Sequence, residues 1–260
     1  MGLVGEIGSV VGTIKKRLRS SGRYPGFNQE LSEELGDALW YLASVASNND
    51  LRLEDIAEAN LQKAGSYFDP GVIPTFDLRF ADDESLPRKF SVEFCEREVG
   101  RSVQVLMKMN DVIIGDHLTD NSYDPDGYRY HDAFHLAYAA VLGWSPVMRA
   151  ILRRKRKSDP VKDEVDDGAR AAIIEEAVSI YVFNEAKKRD LFGDSNSIDF
   201  GLLKIVQGLT SELEVKDCTS RQWKQSIIKG YEMFRKLKEH RGGTLNVSLD
   251  DATITFQPPA

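Results

Sequence analysis

The sequence predicts a mainly helical protein of the α+β class, a helical bundle with a small antiparallel sheet. Three observations carry that expectation. Residues 28–48 place Leu31, Leu35, Ala38, Leu42, Val45 and Ala46 at helical spacing. The stretches KFSVEFCERE, RSVQVLMKMN and DVIIGDHL, within residues 89–118, are rich in Val, Ile and Phe and partly alternate, as half-buried strands do. The tail TLNVSLDDATITF, at 244–256, reads as a hairpin around a tight Asp-Asp turn. Helices, strands, helices and strands thus follow in turn, and the tail hairpin is expected to join the central strands in one sheet beside the helices.

In chain order, residues 2–19 read as a helix ending in the basic cluster Lys15, Lys16, Arg17 and Arg19. SSGRYPG (20–26) is a loop, 28–48 the second helix, and 53–66 the third, after the breaker NND. DPGVIP (69–74) and ADDESLPRK (81–89) are connectors. SYDPDGYR is a turn; its Asp spacing hints at a calcium loop, but the later glutamate is absent. Helices are expected again over 128–156, 167–188, 198–212 and 219–240, with Asp167 as N-cap before Gly168 and Arg241-Gly-Gly closing the last. The run RRKRK (153–157) reads as a charge complement to a helix C-terminus rather than a nucleic-acid patch. The elements group as a helical unit (1–68), a linker with a β insertion (69–126), a second helical unit (127–242) and a C-terminal hairpin (243–260).

The 260 residues carry a net charge of -7. An acidic surface argues against nucleic acid as a partner, because neutralising phosphates takes a basic one. No apolar run approaches the roughly 18 residues of a membrane span. Cys95 and Cys218 stand far apart without metal-ligand spacing and read as free thiols. A cytoplasmic, reducing compartment is the expectation.

On the helix at 28–48, Glu30, Glu34, Asp37 and Tyr41 fall in one sector bordering the apolar stripe. Carboxylates pointing together into a groove repel one another and call for a cation. Hard oxygen ligands of this kind suit Mg2+. The alternative is an acidic first turn, formed by Glu30, Glu33 and Glu34, that simply favours the helix dipole. Upstream, Glu6 is followed at i+3 by Ser9, a carboxylate and a hydroxyl on one helix face.

The combined strings GLVGEIG, EELGDALWYLASVA and LRLEDIAEANLQK resemble the MazG-like nucleoside triphosphate pyrophosphohydrolases, the all-α NTP pyrophosphatase superfamily, over residues 2 to about 66. That family carries an E-x-x-E pair on one helix, an E-x-x-D pair on the next, and an Asn and a Lys on a third. The resemblance implies a MazG-like helical bundle that binds Mg2+, with Mn2+ as an alternative, through Glu6, Glu34 and Asp37. It implies hydrolysis of a nucleoside triphosphate to monophosphate and pyrophosphate, with Glu33 or Glu34 orienting water. Lys15, Lys16, Asn60 and Lys63 are the expected substrate-binding residues, and a homo-oligomer the expected assembly. Ser9 stands where the family has its second acid, so one anionic ligand is replaced by a neutral hydroxyl. The helix that precedes the first motif in the family is expected from elsewhere, or the start is shortened. Those two departures motivate the alternative of a non-catalytic nucleotide-sensing or interaction protein on the same scaffold.

A second constellation lies downstream. In GYRYHDAFHLAYAAVLGWSP (127–146), Tyr128, His131, Asp132 and His135 share one side of a helix. EEAVSIYVF (175–183) echoes EELGDALWY (33–41), and HDAFHLA echoes GEIGSVV, which suggests a degenerate internal repeat. His131, Asp132, His135, Glu175 and Glu176 then make a candidate second polar site; buried structural histidines are the competing reading. The His-Asp step also resembles the HD-type metal phosphohydrolases, but His117 is the only upstream histidine and falls in an expected strand or loop.

Overall fold

The computed structural model describes residues 2–100, 102–193 and 198–259, apart from the side chain of Lys63. Among them are nine α-helices and five strands. The chain divides into two compact units, 1–65 and 66–260. No helix among the described residues is long and apolar enough to cross a membrane.

The first unit is built on α1 (Gly2–Arg19) and α2 (Phe27–Ser47), which pack together. Gly26 turns the chain into α2 at φ 80°, a left-handed conformation that favours glycine. The first unit also holds most of α3 (Leu53–Phe68), whose last turn belongs to the second unit. Along α1 and α2 only Thr13, Ala38 and Ala46 are buried. Two helices cannot enclose a core, so most of their apolar residues stay on the surface.

The second unit holds the core. Strands β1 (Lys89–Val99), β2 (Ser102–Met109), β3 (Val112–Leu118), β4 (Gly242–Ser248) and β5 (Thr253–Gln257) form one sheet in the order β3-β2-β1-β4-β5. Every neighbouring pair is antiparallel, with Phe94 opposite Met107 and Val92 opposite Leu245. The tail hairpin therefore extends the central strands, as expected. Phe90, Val92 and Phe94 are buried and alternate with exposed Ser91 and Glu93. α4 (Asp132–Leu142) and α9 (Ser220–His240) pack on each other and on β4 and β5. Every residue of α4 is buried, which fits a helix enclosed on all sides. Gly230 lets α9 approach: a Cβ there would lie 3.3 Å from Ala137 Cβ and from the Phe134 ring. Thr219 and Gln222 form a capping box at the start of α9, and Arg241, at φ 56°, closes it.

Three local expectations are corrected. The helix expected over 128–156 is three pieces: a 3-10 turn at Tyr128–Tyr130, α4, and α5 (Pro146–Ile151). Gly143, at φ 61°, ends α4, and Ser145 restarts the helix by accepting from Met148 N at 3.0 Å with Pro146 behind it. Asp167 is not an N-cap. Gly168 occupies that position before α7 (Ala169–Lys187), and the Asp167 carboxylate accepts from Arg156 Nη2 at 2.6 Å and from Arg156 N at 2.7 Å. The basic run 153–157 is likewise not a simple helix-end complement. Arg156 is fully buried between Asp167 and Glu214, where burial works against its charge but the two carboxylates hold its pKa above the ordinary value. The short α6 (Pro160–Val165) and α8 (Phe200–Leu209) complete the helices.

Candidate functional site

Among the described residues, two groups of three His, Cys, Asp or Glu side chains bring their ligand atoms within 4.8 Å of one another. One lies in each unit.

The first is Glu6 of α1 with Glu34 and Asp37 of α2. Glu6 and Glu34 are half-buried and Asp37 is exposed, so the oxygens open to solvent. Three hard, anionic oxygen donors held together without a basic residue among them fit a divalent cation that keeps waters or phosphate oxygens as further ligands. Glu30, one turn before Glu34, does different work. It accepts from Lys16 Nζ at 2.6 Å, from Thr13 Oγ1 at 3.1 Å and from the Tyr24 hydroxyl, and so ties α2 to α1. The Lys16 and Tyr24 hydrogen bonds lead the causes that hold its pKa down to about 2. Lys16 is thereby ion-paired, Lys15 is exposed, and Ser9 is exposed on α1. Glu33 is exposed and accepts from Gln29 at 3.5 Å rather than joining the acid group. Asn60 is exposed on α3, and the side chain of Lys63 lies outside the described ones.

The second group is His131, Asp132 and His135 at the start of α4, all buried. α7 adds Glu175 and Glu176, so all five residues singled out in the sequence meet here. His135 Nδ1 lies 2.8 Å from Glu175 Oε1, and Glu175 also accepts from Ser145 Oγ at 2.6 Å and from Val147 N at 2.8 Å. His135 Nε2 faces Glu176 Oε1 at 3.4 Å and Asp132 Oδ1 at 3.9 Å. Burial pulls the His135 pKa down, but Glu175 and Glu176 outweigh it and hold it well above its ordinary value. His131 stacks on Tyr128 with ring centroids 4.4 Å apart, and its Nδ1 lies 2.9 Å from the Tyr128 carbonyl.

Two contributors were missed at the sequence level. Ser145 anchors Glu175 while capping α5, and its Ser-Pro signature at a helix start was the available signal. The Tyr128 carbonyl is a backbone group with no signature. Neither cysteine enters a site: burial pushes the Cys218 thiol up to about 12, and Cys95 sits half-buried on β1.

Residues 1–66 match the MazG nucleotide pyrophosphohydrolase domain, and residues 71–260 match the MazG C-terminal domain. The gene 37 protein of Mycobacterium phage L5 is 43% identical over 75 residues, which is 28% of this chain and 66% of that protein. The chain therefore spans just under two thirds of that relative's length. No solved structure matches. With the C-terminal domain matched across most of the sequence and the pyrophosphohydrolase domain ahead of it, the chain belongs to the MazG family.

Proposed function

We propose that the chain hydrolyses nucleoside triphosphates between the α and β phosphates, giving a monophosphate and pyrophosphate, with Mg2+ held by Glu6, Glu34 and Asp37. The observation that carries this reading is the convergence of those three carboxylates from two helices within 4.8 Å. When bound, the metal neutralises phosphate charge and acidifies a water. The chain's own residues have separate tasks. Glu6, Glu34 and Asp37 supply the anionic cradle, with the Ser9 hydroxyl as a neutral ligand. Glu33, exposed one residue before Glu34, orients the attacking water. Lys15 and Asn60 are the proposed partners of phosphate oxygens, and Lys16 joins them by exchanging Glu30 for phosphate. Mn2+ is the alternative ion for the same oxygen set.

The assembly belongs to the same reading. Val4 is 78% exposed, Leu18 73%, Trp40 63% and Leu61 71%, all within the first unit. A contiguous exposed apolar face is one that another protein covers, and these side chains are proposed to form such a face. A second copy of the chain is the proposed cover, and light scattering after size exclusion reads it: a monomer at working concentration rules it out. The proposed setting is the cytoplasm, where nucleoside triphosphates are abundant.

The test is pyrophosphate release from a panel of triphosphates with Mg2+. Release is expected for at least one of them, and turnover that survives Glu34→Gln combined with Asp37→Asn would remove this site assignment. Exposed Ser9 in the place of an acid favours the second reading, a nucleotide sensor. Calorimetry that shows Mg2+-dependent nucleotide binding without turnover selects it.

A further inference from the structure

We infer that the second unit holds a transition-metal site of its own, formed by His131, Asp132, His135 and Glu176, which takes a first-row divalent ion such as Zn2+, Co2+, Fe2+ or Mn2+. The inference does not rest on the nucleotide reading, and the residues it uses all lie within the second unit.

The arrangement around the two imidazoles carries it. A metal-binding histidine engages its remaining ring nitrogen with a carboxylate or carbonyl, which fixes the ring and its tautomer. Both histidines here have Nδ1 engaged that way, His135 with Glu175 at 2.8 Å and His131 with the Tyr128 carbonyl at 2.9 Å. Their Nε2 atoms are turned toward the same carboxylate, Asp132 Oδ1, at 3.6 Å from His131 and 3.9 Å from His135. The fourth donor, Glu176 Oε1, lies 3.4 Å from His135 Nε2.

Those separations are informative. Ligands bound at about 2.0–2.2 Å stand roughly 3–3.5 Å from one another around a single ion. Groups that only hydrogen-bond approach to about 2.7–3.2 Å. Three donor pairs sit at the first spacing or slightly wider, at 3.4, 3.6 and 3.9 Å. His131, Asp132 and His135 each bring one ligand atom within 4.8 Å of the others. The fully buried His135 Nε2, which Glu176 only approaches, makes no hydrogen bond of normal geometry among the described residues. An unsatisfied nitrogen at such depth costs stability unless something occupies the gap. A metal ion would take the Nε2 lone pair and the charge of both carboxylates together.

The donor set names the class of ion. Imidazole nitrogen prefers zinc, iron, cobalt, nickel and copper, whereas all-oxygen sets suit Mg2+ and Ca2+. Two imidazoles and two carboxylates therefore select against the Mg2+ proposed for the first unit. His131, Asp132 and His135 are buried, but the Glu176 side chain is 45% exposed. That carboxylate marks the side from which an ion would enter.

The test uses the full chain, stripped with chelator and titrated with Co2+ by absorption and with Zn2+ by calorimetry, in excess Mg2+ to occupy the acidic site. One equivalent of each ion per chain is expected. Glu176→Gln and His131→Asn should each weaken binding by at least about 10-fold. Glu6→Gln combined with Glu34→Gln should leave it unchanged. Glu176 is half-exposed, so its variant folds even if the buried histidine variant does not, and a cooperative melt checks this. The inference is overturned if folded protein takes up no stoichiometric ion, if Glu176→Gln binds as tightly as the parent, or if binding follows Glu6 and Glu34 instead.

Discussion

The two carboxylate clusters in this chain are opposites in construction. Glu6, Glu34 and Asp37 sit half-exposed on a helix pair with almost no core, while His131, Asp132, His135 and Glu175 are buried where α4 meets α7. Among the described residues no hydrogen bond or ion pair holds Glu6, Glu34 or Asp37, which are half-buried or exposed. In the second group His131 Nδ1 is tied to the Tyr128 carbonyl, and the Glu175 oxygens to His135 Nδ1, Ser145 and Val147. An open cluster suits a ligand that brings its own charges and leaves again, such as a metal-bound triphosphate. A buried cluster is assembled once, during folding, and every member is part of the stability of the unit. The difference predicts that mutations separate: the first cluster governs turnover and the second governs folding and metal retention.

The largest expected effect comes from Glu175→Ala. It strands His135 Nδ1, Ser145 Oγ and Val147 N, three donors that the one carboxylate satisfies. Removing one partner of a buried charged network costs about 3–5 kcal/mol. Urea denaturation followed by far-UV dichroism measures it, and a loss below about 1 kcal/mol would erase the contrast between the clusters. Next is the pair Glu34→Gln with Asp37→Asn. Pyrophosphate release should fall by at least about 100-fold, since outer-shell partners alone are worth about 10–100-fold and these two carboxylates are the proposed ligands themselves. The urea midpoint should hold or rise, because like charges leave an exposed cluster. A destabilised variant would mean that the acids build the helix pair rather than serve a ligand. Third, Gly230→Val adds atoms where α9 meets Ala137 and Phe134 at 3.3 Å. Overpacking of this kind costs about 1–3 kcal/mol. Pyrophosphate release per folded molecule should not change, and a parallel loss of activity would break the separation between the units.

What the sequence disclosed follows the same division. Helices α1, α2 and α9 were legible almost to the residue, since their spacing, breakers and Gly-Gly stop act locally. The strands and their single sheet were legible because alternation reports one buried face. The helix expected at 128–156 failed because every position of α4 is buried, which removes the periodic signal, and because Gly143 had to outweigh a long apolar run. Asp167 and Arg156 misled for another reason. Their pairing depends on which surfaces the fold brings together, and a charge 11 residues from its partner looks like a cap or a helix-end complement until it is buried. At the sites, helical spacing was enough to group Glu34 with Asp37 and His131 with His135. The assignment of Glu30 was not recoverable, since its partners Thr13, Lys16 and Tyr24 come from across the helix pair and its loop.

Glu30 supplies the smallest effect and the finest test of the comparison. Its folded pKa is about 2 against an ordinary 4.5. A depressed carboxylate contributes stability that is fully present above its unfolded pKa and is lost as pH falls through the folded one. Docking of α1 on α2 should therefore weaken between about pH 4.5 and pH 2. Lys16 is shifted the other way: the Glu30 hydrogen bond raises its pKa above 10.5, so its share is present below that pH and is lost as pH rises beyond it. Between the two limits the brace is constant. Lys16 is exposed and Glu30 only half-buried, so solvent screens the pair and the effect is modest and weakens with salt. Hydrogen exchange along α1, compared for the parent and Glu30→Gln, reads it directly. The parent should lose protection in the acid limb and the variant should show no such limb. If both lose protection together, the helix pair is held by its few apolar contacts alone, and the acid cluster stands on a scaffold that charge does not brace.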